Sequence, residues 1–293
     1  MREYAIEMSD IKKSFKDFTI ENFNLKVEKG FITGFIGPNG SGKTTTIKLI
    51  MNLIKPENGN IKIFGKDVKN NEEEIRERIG FVYAENTYYD HLTVKQTGDL
   101  IAPFYRKWDT NIFLSYVTLF QLPKNKKVKT LSTGMKIKLS LAIALSHSAD
   151  LIILDEPTSG LDPIVRSEVL NILYEIIQDE NKTVLFSSHI TSDLDKIADT
   201  IAFINNGKLI FNQAKDDILL KYKIVKGPSS ILDNELRSLF ISFHETPVGF
   251  EGLSFNYKTF EELFGDQVLI EPASLEEIVV YIVKGAEYAS ITS

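Results

Sequence analysis

Residues 37–44 read Gly37-Pro38-Asn39-Gly40-Ser41-Gly42-Lys43-Thr44, a match to G-x-x-x-x-G-K-[ST]. An apolar run, 31–36, leads into this loop, and Ile47, Ile50, Met51 and Ile54 follow it at helical spacing until Pro56 and Gly59 stop the pattern. Strand, glycine-rich loop and helix in that order commit the chain to an α/β core. The glycines let backbone N–H groups curl around an anion, and the helix N-terminus adds positive potential there. Lys43 is placed to reach the β- and γ-phosphates of a nucleotide, with Thr45 in the same nucleotide-binding set, and the Thr44 hydroxyl to approach Mg²⁺. A tight structural turn reads the same in isolation; the flanking strand and helix favour phosphate binding.

The rest of the chain fits such a core. Leu151–Leu154 and Thr183–Phe186 are continuous apolar runs, as expected of strands buried on both faces in a parallel sheet. Val165, Val169, Ile172, Leu173, Ile176 and Ile177 give an amphipathic helix between them, so 151–186 reads as a βαβ unit. Residues 201–211 predict a hairpin turning at Asn206-Gly207. From about 90 to 147 the pattern is helical, opened by a capping box, Thr93-Val94-Lys95-Gln96. Beyond 220 short strand and helix candidates alternate. Residues 222–284 predict β-α-β-β-α-β plus a final helix over 275–284, capped at Ser274-Leu275-Glu276-Glu277 and carrying an apolar stripe of Ile278, Val279 and Ile282. The expected division is an α/β nucleotide-binding domain over 1–220 with a helical subdomain at 90–147, and a small ferredoxin-like α+β module over 221–293.

Composition removes several function classes. The chain has 293 residues, no cysteine and a formal net charge of −6. That excludes a disulfide scaffold, a thiolate zinc site and a cysteine nucleophile, and argues against electrostatic wrapping of nucleic acid. His91, His147 and His244 lack metal-ligand spacing, and Lys126-Lys127-Val128-Lys129 reads as a solvated loop. The first residues, Met1-Arg2-Glu3-Tyr4-Ala5-Ile6-Glu7, place a carboxylate where a signal peptide needs apolar residues. No apolar run approaches the roughly 18 residues of a spanning helix. A soluble protein is expected, with any membrane role acting through a partner.

Two further stretches carry chemistry. In Leu151-Ile152-Ile153-Leu154-Asp155-Glu156-Pro157, Asp155 stands at the C-terminal end of a buried strand, where α/β sheets hold ligands, and suits Mg²⁺. Glu156 is expected to point elsewhere by strand alternation and to act as general base for water. In Leu131-Ser132-Thr133-Gly134-Met135, Ser132 is an N-cap and the amides near Gly134 form a second anion-binding helix terminus. Alone this is a capped helix start; a second phosphate site makes sense where two subunits sandwich one nucleotide.

The loop 37–44, the 131–135 turn, Asp155-Glu156, Ser159-Gly160-Leu161-Asp162 and His189, in that order, resemble the ATP-binding subunit of an ABC transporter over at least residues 3–220. The resemblance implies two cassettes paired head to tail, as homodimer or heterodimer, with ATP between the phosphate loop of one and the 131–135 signature of the other. It implies that Ser132 and Gly134 hold the γ-phosphate of the partner's nucleotide and that Asp162 crosses the interface. His189 would bridge the γ-phosphate and Glu156, with Lys43, Glu156 and His189 forming the catalytic group. Phe15 would stack on adenine, with Phe18 as its rival. Thr133 and Met135 depart from the family signature, and Glu85 stands where a glutamine is usual, implying a carboxylate ligand to Mg²⁺ beside Thr44 and Asp155. Phe104-Tyr105-Arg106-Lys107-Trp108-Asp109, the lysine run and the Gly-Leu-Asp-Pro stretch look most like drug and antimicrobial-peptide exporters, including bacitracin-resistance and phenol-soluble-modulin types. A permease partner at the cytoplasmic face of the membrane, and no nucleic acid, follow from the resemblance. The alternative is an ATP-switched regulatory module with little hydrolysis.

Overall fold

A computed structural model describes residues 3–83 and 88–291. The structure has two compact units, 1–212 and 213–293; the expected junction lies at 220/221.

In the first unit a six-stranded sheet runs in the order Lys208–Ala214, Thr200–Asn205, Ile32–Ile36, Thr183–Ser188, Leu151–Asp155, Ile79–Tyr83. From Thr200–Asn205 to Ile79–Tyr83 every neighbouring pair is parallel. Ile32–Ile36, Leu151–Asp155 and Thr183–Ser188 are buried at every residue, as expected of parallel strands covered on both faces. These three strands are adjacent and in register, Ile36 opposite Ser188 and Asp155 opposite Ser187. Their C-terminal ends therefore deliver the loop at 37, the Asp155-Glu156 pair and His189 to one edge. The expected hairpin closes the far side. Asn206 and Gly207 have φ of 46° and 74°, the pair of positive values that a two-residue type I′ turn needs.

A four-stranded antiparallel sheet, in the order Thr19–Glu28, Tyr4–Ser14, Asn58–Ile63, Lys66–Asp67, packs on this core. Its strands alternate, with Ile20, Phe23, Leu25 and Val27 inward and Asn24 and Lys26 outward. The helical segment holds Val94–Ile101, Thr110–Leu119 and Thr133–Ser146. The Thr93–Gln96 capping box is complete, and Asp109 caps the second helix by accepting from the Asn111 and Ile112 amides. Thr133–Ser146 lies so close to Ile79–Tyr83 that a Cβ on Gly80 would come within 2.6 Å of Ala144 Cβ.

The second unit has the sheet order Phe240–Thr246, Gly249–Ser254, Lys223–Gly227, Leu269–Pro272, with antiparallel neighbours throughout. Helices Asn234–Arg237 and Tyr257–Phe264 complete β-α-β-β-α-β, the ferredoxin-like topology. One face packs Val225, Phe250 and Phe260. Over the other lies helix Leu275–Ile291, with Leu275, Ile278, Tyr281 and Ile282 buried and Val279 half-exposed. Ser274 and Glu277 bond reciprocally at its start, as expected. Tyr281 donates to Glu251 (2.9 Å), and Lys226 bridges Glu251 (3.2 Å) and Glu271 (2.7 Å), a polar row across three strands of that face. Among the described residues no helix is long and apolar enough to cross a membrane.

His147, next after the helix Thr133–Ser146, is 1% exposed. Its ring stacks on Tyr105 with centroids 3.8 Å apart, and Nδ1 lies 3.3 Å from the Glu77 carbonyl. Burial pushes its pKa down from 6.5 to about 4. The folded state thus favours neutral imidazole: this stability is full above the unfolded value and is lost as pH falls from about 6.5 through 4. The amount is on the order of 3 kcal/mol at most. In His147→Phe, which keeps an aromatic ring there, urea midpoints between pH 7 and 4 should fall less steeply than in the wild type; identical slopes would assign the acid sensitivity elsewhere.

Candidate nucleotide site

Gly37 follows the central strand with no space for a side chain, since a Cβ there would lie 2.3 Å from the Ile204 carbonyl and 2.5 Å from Ser41 Oγ. Gly42, at φ 112°, is the N-cap of helix Lys43–Ile50, and no side chain caps that end. The first amides of the helix therefore face outward without a side-chain acceptor, the arrangement that suits an anion. The turn of the 200–214 hairpin supports the loop from behind, Gly207 donating to the Ser41 carbonyl at 2.9 Å. Ser41 Oγ is buried and has no hydrogen-bond partner. An unsatisfied buried hydroxyl is costly.

Lys43 is 6% exposed. Its ammonium donates to the Gly37 carbonyl (2.7 Å) and the Pro38 carbonyl (3.2 Å) and pairs with Glu156 Oε1 at 3.1 Å. Glu156 Oε2 meets His189 Nδ1 at 2.6 Å. One carboxylate thus spans a buried cation and a half-exposed imidazole. Asp155, 3% exposed, accepts from Ser187 Oγ at 2.8 Å. Glu156 diverges from it, but not by strand alternation: its φ is +53°, a left-handed conformation that swings the side chain toward Lys43. Two bonds hold the turn, from the Glu156 amide to the Ser187 carbonyl (3.2 Å) and to Ser187 Oγ (3.0 Å). Asn39, Gly40, Gly42, Lys43, Thr44 and Thr45 line an open 380 Å³ cavity together with Phe18, Glu156, Ser159 and His189.

Ser132, Gly134 and Asp162, like Phe15, Gly37, Ser41 and Asp155, are not among the residues that line that cavity. Ser132 is exposed and caps helix Thr133–Ser146, accepting from the Met135 amide at 3.3 Å. Gly134 is buried, and its Cβ would lie 2.2 Å from Val165 Cγ1. Asp162 is exposed and caps helix Pro163–Ile177, accepting from Ile164 (3.0 Å) and Val165 (3.1 Å). The two helix starts are packed together through Gly134 and Val165 and joined one turn on by Lys138 and Glu168 at 2.6 Å.

Comparison with known proteins decides the family. The ABC transporter family model matches residues 20–159. The bacitracin transport ATP-binding protein BcrA of Bacillus licheniformis is 37% identical over 209 residues, covering 70% of this chain and 68% of that protein. The chain is a member of the ABC transporter ATP-binding family. The lantibiotic transport ATP-binding protein SrtF of Streptococcus pyogenes is 35% identical, covering 72% of the chain and 91% of that protein. A solved ATP-binding subunit of an ABC transporter superposes with a TM-score of 0.66 at 27% identity, covering 73% of this chain and 91% of that structure.

Within this ABC cassette the two candidate adenine platforms differ in setting. Phe15 is 45% exposed, with Lys13 Nζ 5.8 Å from its ring centroid. Phe18 is partly buried against the core and presses on the loop, its Cζ 2.7 Å from where a Cβ on Gly42 would stand. Glu85 lies outside the described residues. Sequence reasoning missed Ser187, whose hydroxyl donates to the Asp155 carboxylate and accepts from the Glu156 amide; its signal was a buried apolar strand ending in Ser187-Ser188-His189 at the ligand edge. Thr44 hydroxyl and the Asp155 carboxylate are hard oxygen donors of the kind Mg²⁺ takes.

The contact between helix starts gives a specific outcome. Gly134→Ala should destabilise the cassette by about 1–3 kcal/mol through overpacking, and adding Val165→Ala should restore most of the loss, both read from denaturant midpoints. A single variant as stable as wild type would show that the helices separate freely.

Proposed function

We propose that this cassette hydrolyses ATP and thereby drives an integral membrane permease that exports drugs or amphipathic antimicrobial peptides. The observation that carries the reading is the Lys43–Glu156–His189 chain at the mouth of the phosphate loop. A carboxylate with one oxygen on a cation and the other on an imidazole is oriented as a general base, and the buried Lys43 offers its charge to the β- and γ-phosphates. Phe15, with Phe18 behind it, supplies an aromatic surface for adenine. Bound Mg²⁺ would neutralise developing phosphate charge, held by Thr44 and Asp155 and, by its place in the sequence, Glu85.

Glu156 accepts the proton of the attacking water, and His189 keeps its carboxylate turned toward the γ-phosphate. Ser132 and the amides at Gly134 stand apart from this chain's own cavity, which supports their serving a nucleotide held by a second cassette, the same chain or a sister subunit. Asp162 then lies on the facing surface. Loss of the γ-phosphate removes the charge gripped from both sides and lets the pair reopen, the step that gives the cycle its direction. The names of the bacitracin and lantibiotic relatives support a peptide antimicrobial as cargo. Such a cassette works at the cytoplasmic face of the membrane through its permease, without nucleic acid, and residues 221–293 act as an accessory or dimerisation module.

Phosphate release by the purified protein with Mg-ATP tests the reading. Glu156→Gln should bind ATP as wild type does and turn over about 10²–10⁴-fold more slowly, accumulating as an ATP-bound dimer in size-exclusion chromatography. Unchanged turnover in Glu156→Gln would remove it as the base, and no phosphate release from wild type, with or without a permease in liposomes, would leave a regulatory binding module.

A further inference from the structure

Two residues given roles at the site sit on surface-near turns: His189, assigned to hydrolysis, has a side chain 38% exposed, and Asp162, assigned to the facing surface, is exposed outright. Burial alone does not hold them in place. Just behind them lies a carboxylate that the reaction does not use. Asp193 is 0% exposed, in the first turn of helix Thr191–Ile197, the helix that His189 leads into. Its Oδ2 accepts from Thr158 Oγ1 at 2.7 Å, and its Oδ1 takes the Nε of Arg166. A second guanidinium nitrogen of Arg166 donates to Ser192 Oγ at 2.8 Å. Thr158, itself 1% exposed, stands on the loop that leaves Glu156, and Arg166 is in the first turn of the helix that Asp162 caps. One buried charge therefore ties together the segments that carry Glu156, Asp162 and His189, each by a partner about one helical turn away or less.

We propose that Asp193 is a positioning residue that holds the loop behind Glu156, the Asp162 helix and the His189 segment as one rigid body. An ion pair that buries one carboxylate completely is a poor means of adding stability, because the cost of desolvating it offsets much of the attraction. What it does supply is direction. Arg166 presents a planar fork with fixed donor angles, and the carboxylate accepts on two sides at once. The three segments can then occupy one relative arrangement only. The Arg166 helix also carries Val165, against which Gly134 packs, so the same carboxylate fixes the start of the signature helix relative to His189. An error of even 1 Å in such a group costs about 100-fold in rate.

The inference rests on the ATPase reading, and its test separates the two. Asp193→Asn keeps the volume and an acceptor for Thr158 but loses the pair with Arg166; it should lower kcat for ATP about 10- to 100-fold with KM within about threefold. Thr158→Val, a milder change, should show the same split at smaller size. In a His189→Ala background Asp193→Asn should cost less than about threefold more, since its effect passes through a group already removed. The imidazole Hε1 resonance of His189 should move in Asp193→Asn, whether or not the protein turns over. Wild-type kcat in both single variants, a full additional loss on top of His189→Ala, or an unmoved His189 resonance would each overturn the proposal. Absence of phosphate release from wild type would instead count against the ATPase reading and leave the resonance to decide the role of Asp193.

Discussion

Everything at the ligand edge is arranged around one ammonium that water scarcely reaches. Lys43 is 6% exposed, and a buried cation needs partners that replace its water. The molecule answers with two carbonyls from the loop and one oxygen of Glu156. This demand explains the left-handed turn at Glu156: an extended residue after Asp155 would send its side chain elsewhere, and a non-glycine residue at φ +53° is tolerated because Ser187 anchors its amide twice. It explains the glycines as well, since the Gly37 and Pro38 carbonyls reach the ammonium only where the backbone folds tightly over itself. Charge at one atom dictates backbone geometry on two strands.

Those strands had to be neighbours for this to work. The order that places Thr183–Ser188 between Ile32–Ile36 and Leu151–Asp155 is what lets Ser187 serve Asp155 and Glu156, and lets His189 reach Glu156 from the far side. Each strand leaves the sheet at the same level because the pairing is parallel and in register. The site is a consequence of topology, which is the general reason that α/β sheets bind ligands at their carboxyl edge.

Much of this was legible. Strand, loop and helix at 31–54, the βαβ unit, the 206–207 turn and the ferredoxin-like order all announce themselves through continuous apolar runs, helical spacing and turn residues. The antiparallel sheet of residues 4–28 does not. Tyr4–Ser14 is broken by register shifts, and Asp10 and Asn22 take φ of 51° and 50°, so the alternation of inward residues slips where a simple period of two is sought. The orientation of Glu156 was illegible for a related reason, since nothing in Asp-Glu-Pro marks a positive φ. The packing of Gly134 and the role of Asp193 were hidden differently. Their meaning lies in Val165, Thr158 and Arg166, partners in other elements whose approach only the folded chain defines. Local pattern locates the groups that meet the ligand, and tertiary contact reveals those that hold them.

The distribution of burial around the site has a physical consequence of its own. The strands beneath it are closed to water, whereas Ser132, Asp162 and His189 stand on the surface at the starts of short or capped segments. Groups of the first kind move only with the sheet; groups of the second kind are not held by burial and keep their places through bonds to buried partners, as Asp193 does for the Asp162 helix and the His189 segment. Ser132 and Asp162 already satisfy the amides of their own helices through their caps. Their helix starts are therefore satisfied within the chain itself.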